Sequence, residues 1–369
     1  MDLNRMKILR FFLVPFTPVY GFIVGIRNKL FDYQILKSHE FNLPVISLGN
    51  ITAGGTGKTP HVEYLASLLD GEFRVATLSR GYKRKTKGFI IANLQSSTKD
   101  IGDEPKQIKQ KFPGIIVAVD SNRVNGVMKL TESFTDLNVI ILDDAFQHRY
   151  INPGLSILLM DYNRPLSNDH LLPFGNLRES LYEKRRAHII IVTKCPDKLK
   201  PIDRRLVVKD LNLFPYQNLY FTTVIYGEFH PVFKNQNTKL AKTICKTERY
   251  HILLVTGIAN SRPLKKHLRG VTPKITELKF PDHHDFSLND IEYIKSVFNE
   301  IENNNKIIIT TEKDAMRFQD IPDLDEAIKQ NLYYIPIGIE FLDDEGDSFN
   351  NQIIDYVRTN KRDSILYKK

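Results

Sequence analysis

The feature that most constrains this chain is a glycine loop set between two different periodicities. The apolar run Pro44-Val45-Ile46-Ser47-Leu48 leads into Thr52-Ala53-Gly54-Gly55-Thr56-Gly57-Lys58-Thr59, after which Val62, Leu65, Leu68 and Leu69 recur at helical spacing. Strand, glycine turn and helix in that order form the setting in which backbone N–H groups converge on phosphate at a helix N-terminus. A lysine at the end of such a loop reaches the β and γ phosphates of a nucleotide, and the next hydroxyl helps hold Mg²⁺. The expected nucleotide-binding residues are therefore Thr52, Ala53, Gly54, Gly55, Thr56, Gly57, Lys58 and Thr59. Thr52 stands where the usual pattern has its first glycine, and Gly54 and Gly55 supply the turn's freedom instead. The bland alternative is a structural glycine turn.

Further apolar runs at 75–78, 115–119, 139–142, 155–160 and 189–192 read as buried strands of a mostly parallel sheet. With helical spacing between them, they make a doubly wound α/β unit. The pattern loosens around 213–239, where Pro215, Pro231 and a stretch rich in Asn and Gln mark a connection. A second α/β series follows, with strands expected at 252–256, 307–311 and 332–337, and a helix after Ser287 capped by Asp290. A length of 369 residues suits two domains. The expected segments are 1–40 (apolar and basic), 41–215 (nucleotide core), 216–245 (linker) and 246–369 (second α/β lobe).

Composition enters mainly through charge and cysteine. With 42% hydrophobic and 26% charged residues the chain is not of the disordered class, and its net charge of +9 favours acidic partners. Only Cys195 and Cys245 occur, so there is no disulfide framework and no CxxC site. Residues 11–26 are uncharged and mostly apolar between basic flanks, Arg5, Lys7 and Arg10 before and Arg27 and Lys29 after. That stretch is too short to cross a hydrocarbon core of about 20 residues, and Pro15 and Pro18 are expected to interrupt it. A segment lying in the membrane surface is the expectation, and a helix packed on its own domain is the alternative.

Chemistry is carried by carboxylates, arginines and one histidine pair. Asp143 and Asp144 end an apolar run, where a strand's C-terminal carboxylate helps hold the metal of a nucleotide site. Gly102-Asp103-Glu104-Pro105 is a second acidic pair, readable either as a helix cap or as the proton acceptor and metal ligand that phosphoryl transfer to a hydroxyl needs. Arg80, Arg123, Arg149 and Arg178 are candidate phosphate partners, because guanidinium groups match phosphate oxygens. Phe280-Pro281-Asp282-His283-His284-Asp285-Phe286 gathers imidazoles and carboxylates before a helix. It lacks the spacing of a helical zinc site, so a histidine paired with a catalytic carboxylate across a cleft competes with the metal reading.

Taken in order, the loop through Pro60, Ser79-Arg80-Gly81-Tyr82, Gly102-Asp103-Glu104-Pro105, Asp143-Asp144-Ala145-Phe146-Gln147-His148, Val255-Thr256-Gly257-Ile258-Ala259, Asp282-His283 and Thr311-Glu312-Lys313-Asp314-Ala315 resemble the tetraacyldisaccharide 4'-kinases of lipid A synthesis. The resemblance spans nearly the whole chain. It implies a P-loop nucleoside-triphosphate hydrolase-like α/β/α sandwich, a smaller α/β lobe and an N-terminal membrane-associating helical segment. It also implies ATP and Mg²⁺ as cofactors, and a lipid A disaccharide 1-phosphate precursor as acceptor at the cytoplasmic face of the bacterial inner membrane. No nucleic acid and no obligate protein partner are expected.

Carried over by motif, Asp103 is the general base, His283 its orienting partner, and Lys58 and Arg123 the phosphate-stabilising cations. Thr59, Glu104, Asp143 and Asp144 surround Mg²⁺, while Arg80, Gln147, Arg149 and Arg178 are the substrate candidates. Ala145, where the family commonly has glycine, and Lys83 are departures that remove no reacting group. A P-loop GTPase is the main rival, since Thr193-Lys194-Cys195-Pro196-Asp197 resembles a guanine-reading motif but is one residue too long. A membrane-associated nucleotide-binding protein without chemistry is the other.

Overall fold

The computed structural model describes residues 13–165, 167, 169–233 and 240–360. Its strands, in chain order, are β1 (Val45–Gly49), β2 (Val75–Ser79), β3 (Ile90–Ile91), β4 (Ile116–Val119), β5 (Val139–Asp143), β6 (Leu155–Asp161), β7 (Ile189–Thr193) and β8 (Asn218–Tyr226), then β9 (His230–Pro231), β10 (His251–Thr256), β11 (Ile275–Lys279), β12 (Lys306–Thr311), β13 (Leu332–Ile335) and β14 (Ile337–Phe341). They form two mixed sheets dominated by parallel pairs. The larger runs β14-β8-β7-β6-β1-β5-β2-β4-β3, and the smaller runs β11-β10-β12-β13-β9.

Strands β1, β5, β6 and β7 are buried along their whole length, as the unbroken apolar runs require of strands covered on both faces. The helix Lys58–Asp70 lays Val62, Leu65 and Leu69 against the core that Ile46, Val75 and Ile141 share. Burial of each such side chain contributes about 1.5–3 kcal/mol. Strand β1 lies between β5 and β6, with Leu48 in register with Asp143. The loop after β1 and the acidic end of β5 are thereby brought side by side.

The run 332–337, expected as one strand, is ended by Pro336: β13 stays in the small sheet, while β14 pairs antiparallel with β8 in the large one. Residues 337–360 therefore rejoin the large sheet, and the helix Gly346–Asn360 adds Phe349, Ile353 and Val357 to its core. The expected linker 216–245 likewise supplies β8 to the large sheet and β9 to the small one, with 234–239 outside the described residues. The expected cap is present, since Ser287 Oγ accepts from Asp290 N at 3.3 Å and Asp290 Oδ2 from Ser287 N at 2.8 Å.

The N-terminal apolar stretch falls partly on residues 11 and 12, outside the described set. From Phe16 it is a helix to Asp32, and neither proline interrupts it. Pro15 is the residue before the first turn and Pro18 lies within that turn, where the missing N–H has no helical partner to lose. Phe31 and Asn28 face the protein, whereas Phe16, Val19, Phe22, Ile23 and Ile26 are exposed. No helix among the described residues is long and apolar enough to cross a membrane.

Candidate active site

The glycine loop turns twice through backbone that disfavours side chains: Gly54 has φ 101° and Gly57 φ 86°. Gly57 directly precedes the helix Lys58–Asp70, whose first-turn N–H groups lack helical partners. Inside the loop, Asn50 Nδ2 donates to Thr56 Oγ1 at 2.9 Å, and Lys58 Nζ lies 3.5 Å from Asn50 Oδ1. Lys58 Nζ is also 3.5 Å from Asp144 Oδ1. Thr59 Oγ1 donates to Glu104 Oε1 at 3.1 Å.

Asp143 and Asp144 have separate surroundings although they are adjacent. Asp144 has φ 48° and accepts from Arg178 Nη1 at 3.2 and 3.3 Å. Burial pushes its carboxyl up, but Lys58 and Arg178 outweigh that and hold it below the ordinary range. Asp143 is buried, its Oδ1 has no hydrogen-bond partner, and burial with the charges of Glu104 and Asp144 raises it to about 7. A buried carboxylate oxygen with no donor costs free energy unless a cation meets it. Arg123, at 4% exposure, donates from Nη1 to Asp120 O at 2.9 Å and leaves Nε unpaired. Its burial lowers it to about 10, against the pull of Asp143 and Asp144.

The second acidic pair opens the helix Asp103–Lys111, and the other lobe reaches it there. Asp103 Oδ2 accepts from His283 Nδ1 at 2.8 Å and from Arg317 Nη2, and Oδ1 accepts from Glu104 N at 2.9 Å. Burial opposes ionisation of Asp103, yet the His283 hydrogen bond and the Arg317 charge keep its carboxyl well below the usual range. His283 itself sits at φ 54°, with its N–H donating to Gly257 O at 2.9 Å. Glu104 pairs with Lys313, which outweighs burial and holds the carboxyl down while itself being raised.

Among the substrate candidates, Arg178 and Gln147 join the site: Gln147 Nε2 donates to Asn50 O at 2.8 Å, and Arg178 Nη1 lies 3.4 Å from Gln147 Oε1. Arg149 instead fastens the N-terminal helix, donating to Asn28 O at 2.8 Å and Asp32 Oδ1 at 2.7 Å. Arg80 is exposed and near Arg123, whose charge it opposes. His284 turns away to Asp290 at 3.0 Å, so the two imidazoles share no ligand set. Lys313 and Arg317 carry no role in the sequence reading, although Lys313 lies inside one of the quoted motifs. Arg317 was legible only as a cation three residues beyond Asp314, which it also pairs.

The family model for tetraacyldisaccharide-1-phosphate 4'-kinase matches residues 9–358. The chain belongs to the tetraacyldisaccharide 4'-kinase family. Among curated members, a tetraacyldisaccharide 4'-kinase of Phocaeicola vulgatus is 50% identical over 366 residues, covering 99% of each chain. That of Bacteroides thetaiotaomicron is 48% identical over 375 residues, covering 100% of this chain and 98% of its own. The crystal structure of LpxK from Aquifex aeolicus in complex with ATP is 29% identical, with a TM-score of 0.72, and covers 95% of this chain and 99% of that one. As a member of the 4'-kinase family, this chain is a kinase with a mixed α/β fold.

Proposed function

We propose that this chain transfers the γ-phosphoryl group of ATP to the 4'-hydroxyl of a tetraacyldisaccharide 1-phosphate in lipid A synthesis. One observation carries the reading: Glu104 meets Thr59 of the glycine loop at 3.1 Å, while its neighbour Asp103 meets His283 of the other lobe at 2.8 Å. A phosphate-holding end and a proton-accepting end are thus consecutive residues on one helix. The crystallised relative bound to ATP supports ATP as the donor.

Loop N–H groups and Lys58 bind the triphosphate chain, and Arg123 adds positive charge behind Asp143 and Asp144. Asp103 accepts the hydroxyl proton. Its depressed pKa is no obstacle, because in a loose phosphoryl-transfer transition state the hydroxyl becomes acidic only as the new P–O bond forms. His283 orients the carboxylate. The donors suit Mg²⁺: Asp143 Oδ1 is a buried oxygen without a donor, and Thr59 Oγ1 and Glu104 Oε1 are close together. No group of three His, Cys, Asp or Glu is arranged for a metal among the described residues, and Mg²⁺ in general takes one or two carboxylates and completes its shell with waters and substrate phosphates. When bound, Mg²⁺ neutralises charge on the phosphates.

The exposed face of the helix Phe16–Asp32 lies in the membrane surface in this reading, with Arg178 and Gln147 at its edge facing the sugar phosphate. Tyr20 Oη donates to Arg178 O at 2.9 Å and Arg27 Nη2 to Gln147 O at 2.8 Å, tying that helix to the site. Residues 41–226 with 337–360 form the nucleotide-binding body and 227–336 the smaller lobe. The test is incorporation of label from γ-labelled ATP into the disaccharide 1-phosphate. Asp103→Ala and His283→Ala are each expected to cut turnover by about 10²–10⁴ with ATP binding kept. Near wild-type turnover in Asp103→Ala would remove it as the base.

A further inference from the structure

Three side chains beside the glycine loop have no part in the chemistry above. Asp161 ends β6, Arg164 follows it by one turn, and Lys194 follows β7. Arg164 donates to Ala53 O at 3.2 Å and to Gly55 O at 3.0 Å, and Lys194 Nζ also donates to Gly55 O. Both cations are held by one carboxylate: Asp161 Oδ2 lies 3.1 Å from Arg164 Nη2 and 2.8 Å from Lys194 Nζ. Asp161 is 8% exposed, and burial, which would raise its carboxyl, is outweighed by the Lys194 hydrogen bond.

We propose that Asp161, Arg164 and Lys194 form a clamp that holds the loop's carbonyls outward and so sets its affinity for a triphosphate chain. A peptide loop binds phosphate through N–H groups, and any carbonyl that swings inward replaces attraction by repulsion. In this loop the carbonyl of Ala53 goes to Arg164 and that of Gly55 to Arg164 and Lys194. The carbonyl of Thr56 goes to Thr193 Oγ1 at 2.9 Å and that of Gly57 to His61 Nδ1 at 2.8 Å. Gly54 borders the clamp: its φ of 101° disfavours a side chain, and a Cβ there would stand 3.0 Å from Arg164 Nη1. Lys194 belongs to the segment that resembles a guanine-reading motif, and here its ammonium reaches the loop backbone. The Asp197 carboxylate accepts from Thr223 Oγ1 at 2.8 Å.

The proposal rests on the loop being the nucleotide site, and the experiment separates the two. Full-length wild type, Arg164→Met, Lys194→Met and Asp161→Asn are titrated with ATP and with inorganic tripolyphosphate, which carries the phosphates without a nucleoside, and the KM for the lipid acceptor is measured alongside. Each substitution is expected to raise the Kd for both ligands about tenfold. The lipid KM stays unchanged, which shows each variant is folded, and Arg164→Lys recovers part of the loss. Kd values within twofold of wild type would overturn the clamp, as would ATP weakening alone with tripolyphosphate unaffected. A wild type that binds neither ligand would overturn the assignment of the loop itself.

Discussion

His61 is the clearest place to test how the fold around the loop is held. It lies on the helix after the loop at 3% exposure, Nδ1 is 2.8 Å from Gly57 O, and Nε2 is 3.1 Å from Thr222 Oγ1. A carbonyl can only accept, so the neutral ring carries its proton on Nδ1 and takes the Thr222 hydroxyl proton at Nε2. Burial lowers its pKa from the ordinary 6.5 to about 4, although the Gly57 carbonyl pulls the other way. In the unfolded chain the ring protonates near 6.5, so between these values the unfolded state binds the extra proton. Stability is therefore lost as pH falls below about 6.5, until the folded protein also protonates near 4. The loss is about 2 kcal/mol at pH 5 and about 3 kcal/mol at pH 4. Urea unfolding of wild type and His61→Gln at pH 7.5 and pH 5 reads it directly: the variant can keep both hydrogen bonds and carries no titrating group. Wild type is expected to lose about 2 kcal/mol more than the variant over that range. Equal losses in the two proteins would refute the reasoning.

Other outcomes follow from single contacts. Gly57→Ala places a Cβ at φ 86° and is expected to cost about 1–2 kcal/mol in urea unfolding, together with weaker ATP binding; an unchanged midpoint would count against the strained turn. Arg317→Met leaves Asp103 and Asp314, at 5% and 0% exposure, without their shared cation. A loss of about 3–5 kcal/mol is expected by the same measurement, and less than about 1 kcal/mol would contradict it. Replacing Phe22 and Ile23, 69% and 61% exposed, by Glu is expected to reduce partition onto anionic vesicles at least about tenfold without shifting the unfolding midpoint. Unchanged partition would remove the helix as the anchor.

What was legible in the chain depended on how local its cause is. The strand, loop and helix around Lys58 are readable because an apolar run, glycines and a 3.6-residue period act within about twenty residues of one another. Asp143 is readable because a carboxylate ending an apolar run marks a strand's end. Pro336 marks a break between β13 and β14, but the apolar residues on either side do not say which sheet each half joins, and only pairing with β8 assigns the second half. Lys313 and Arg317 were missed for the same reason, their partners Glu104 and Asp103 lying 209 and 214 positions away. Arg149 is a further case: an arginine beside a motif reads as a ligand-binding cation, and its contacts with Asp32 and the carbonyl of Asn28, 117 and 121 positions away, are not legible in the motif.

The return of the chain at Pro336 also bears on how the protein is made. Tyr226, where β8 leaves the large sheet, is the register partner of Ile337, where β14 re-enters it. Everything between is translated before the nucleotide-binding body receives its edge strand and the helix carrying Phe349, Ile353 and Val357. Domains usually fold as they emerge, the earlier one first. Here the core of the earlier body lacks Ile339, Phe341, Phe349, Ile353 and Val357 until the later lobe has been translated. A nascent chain stalled before residue 337 would display that incomplete core, which makes residues 337–360 the ones that close the first half of the protein.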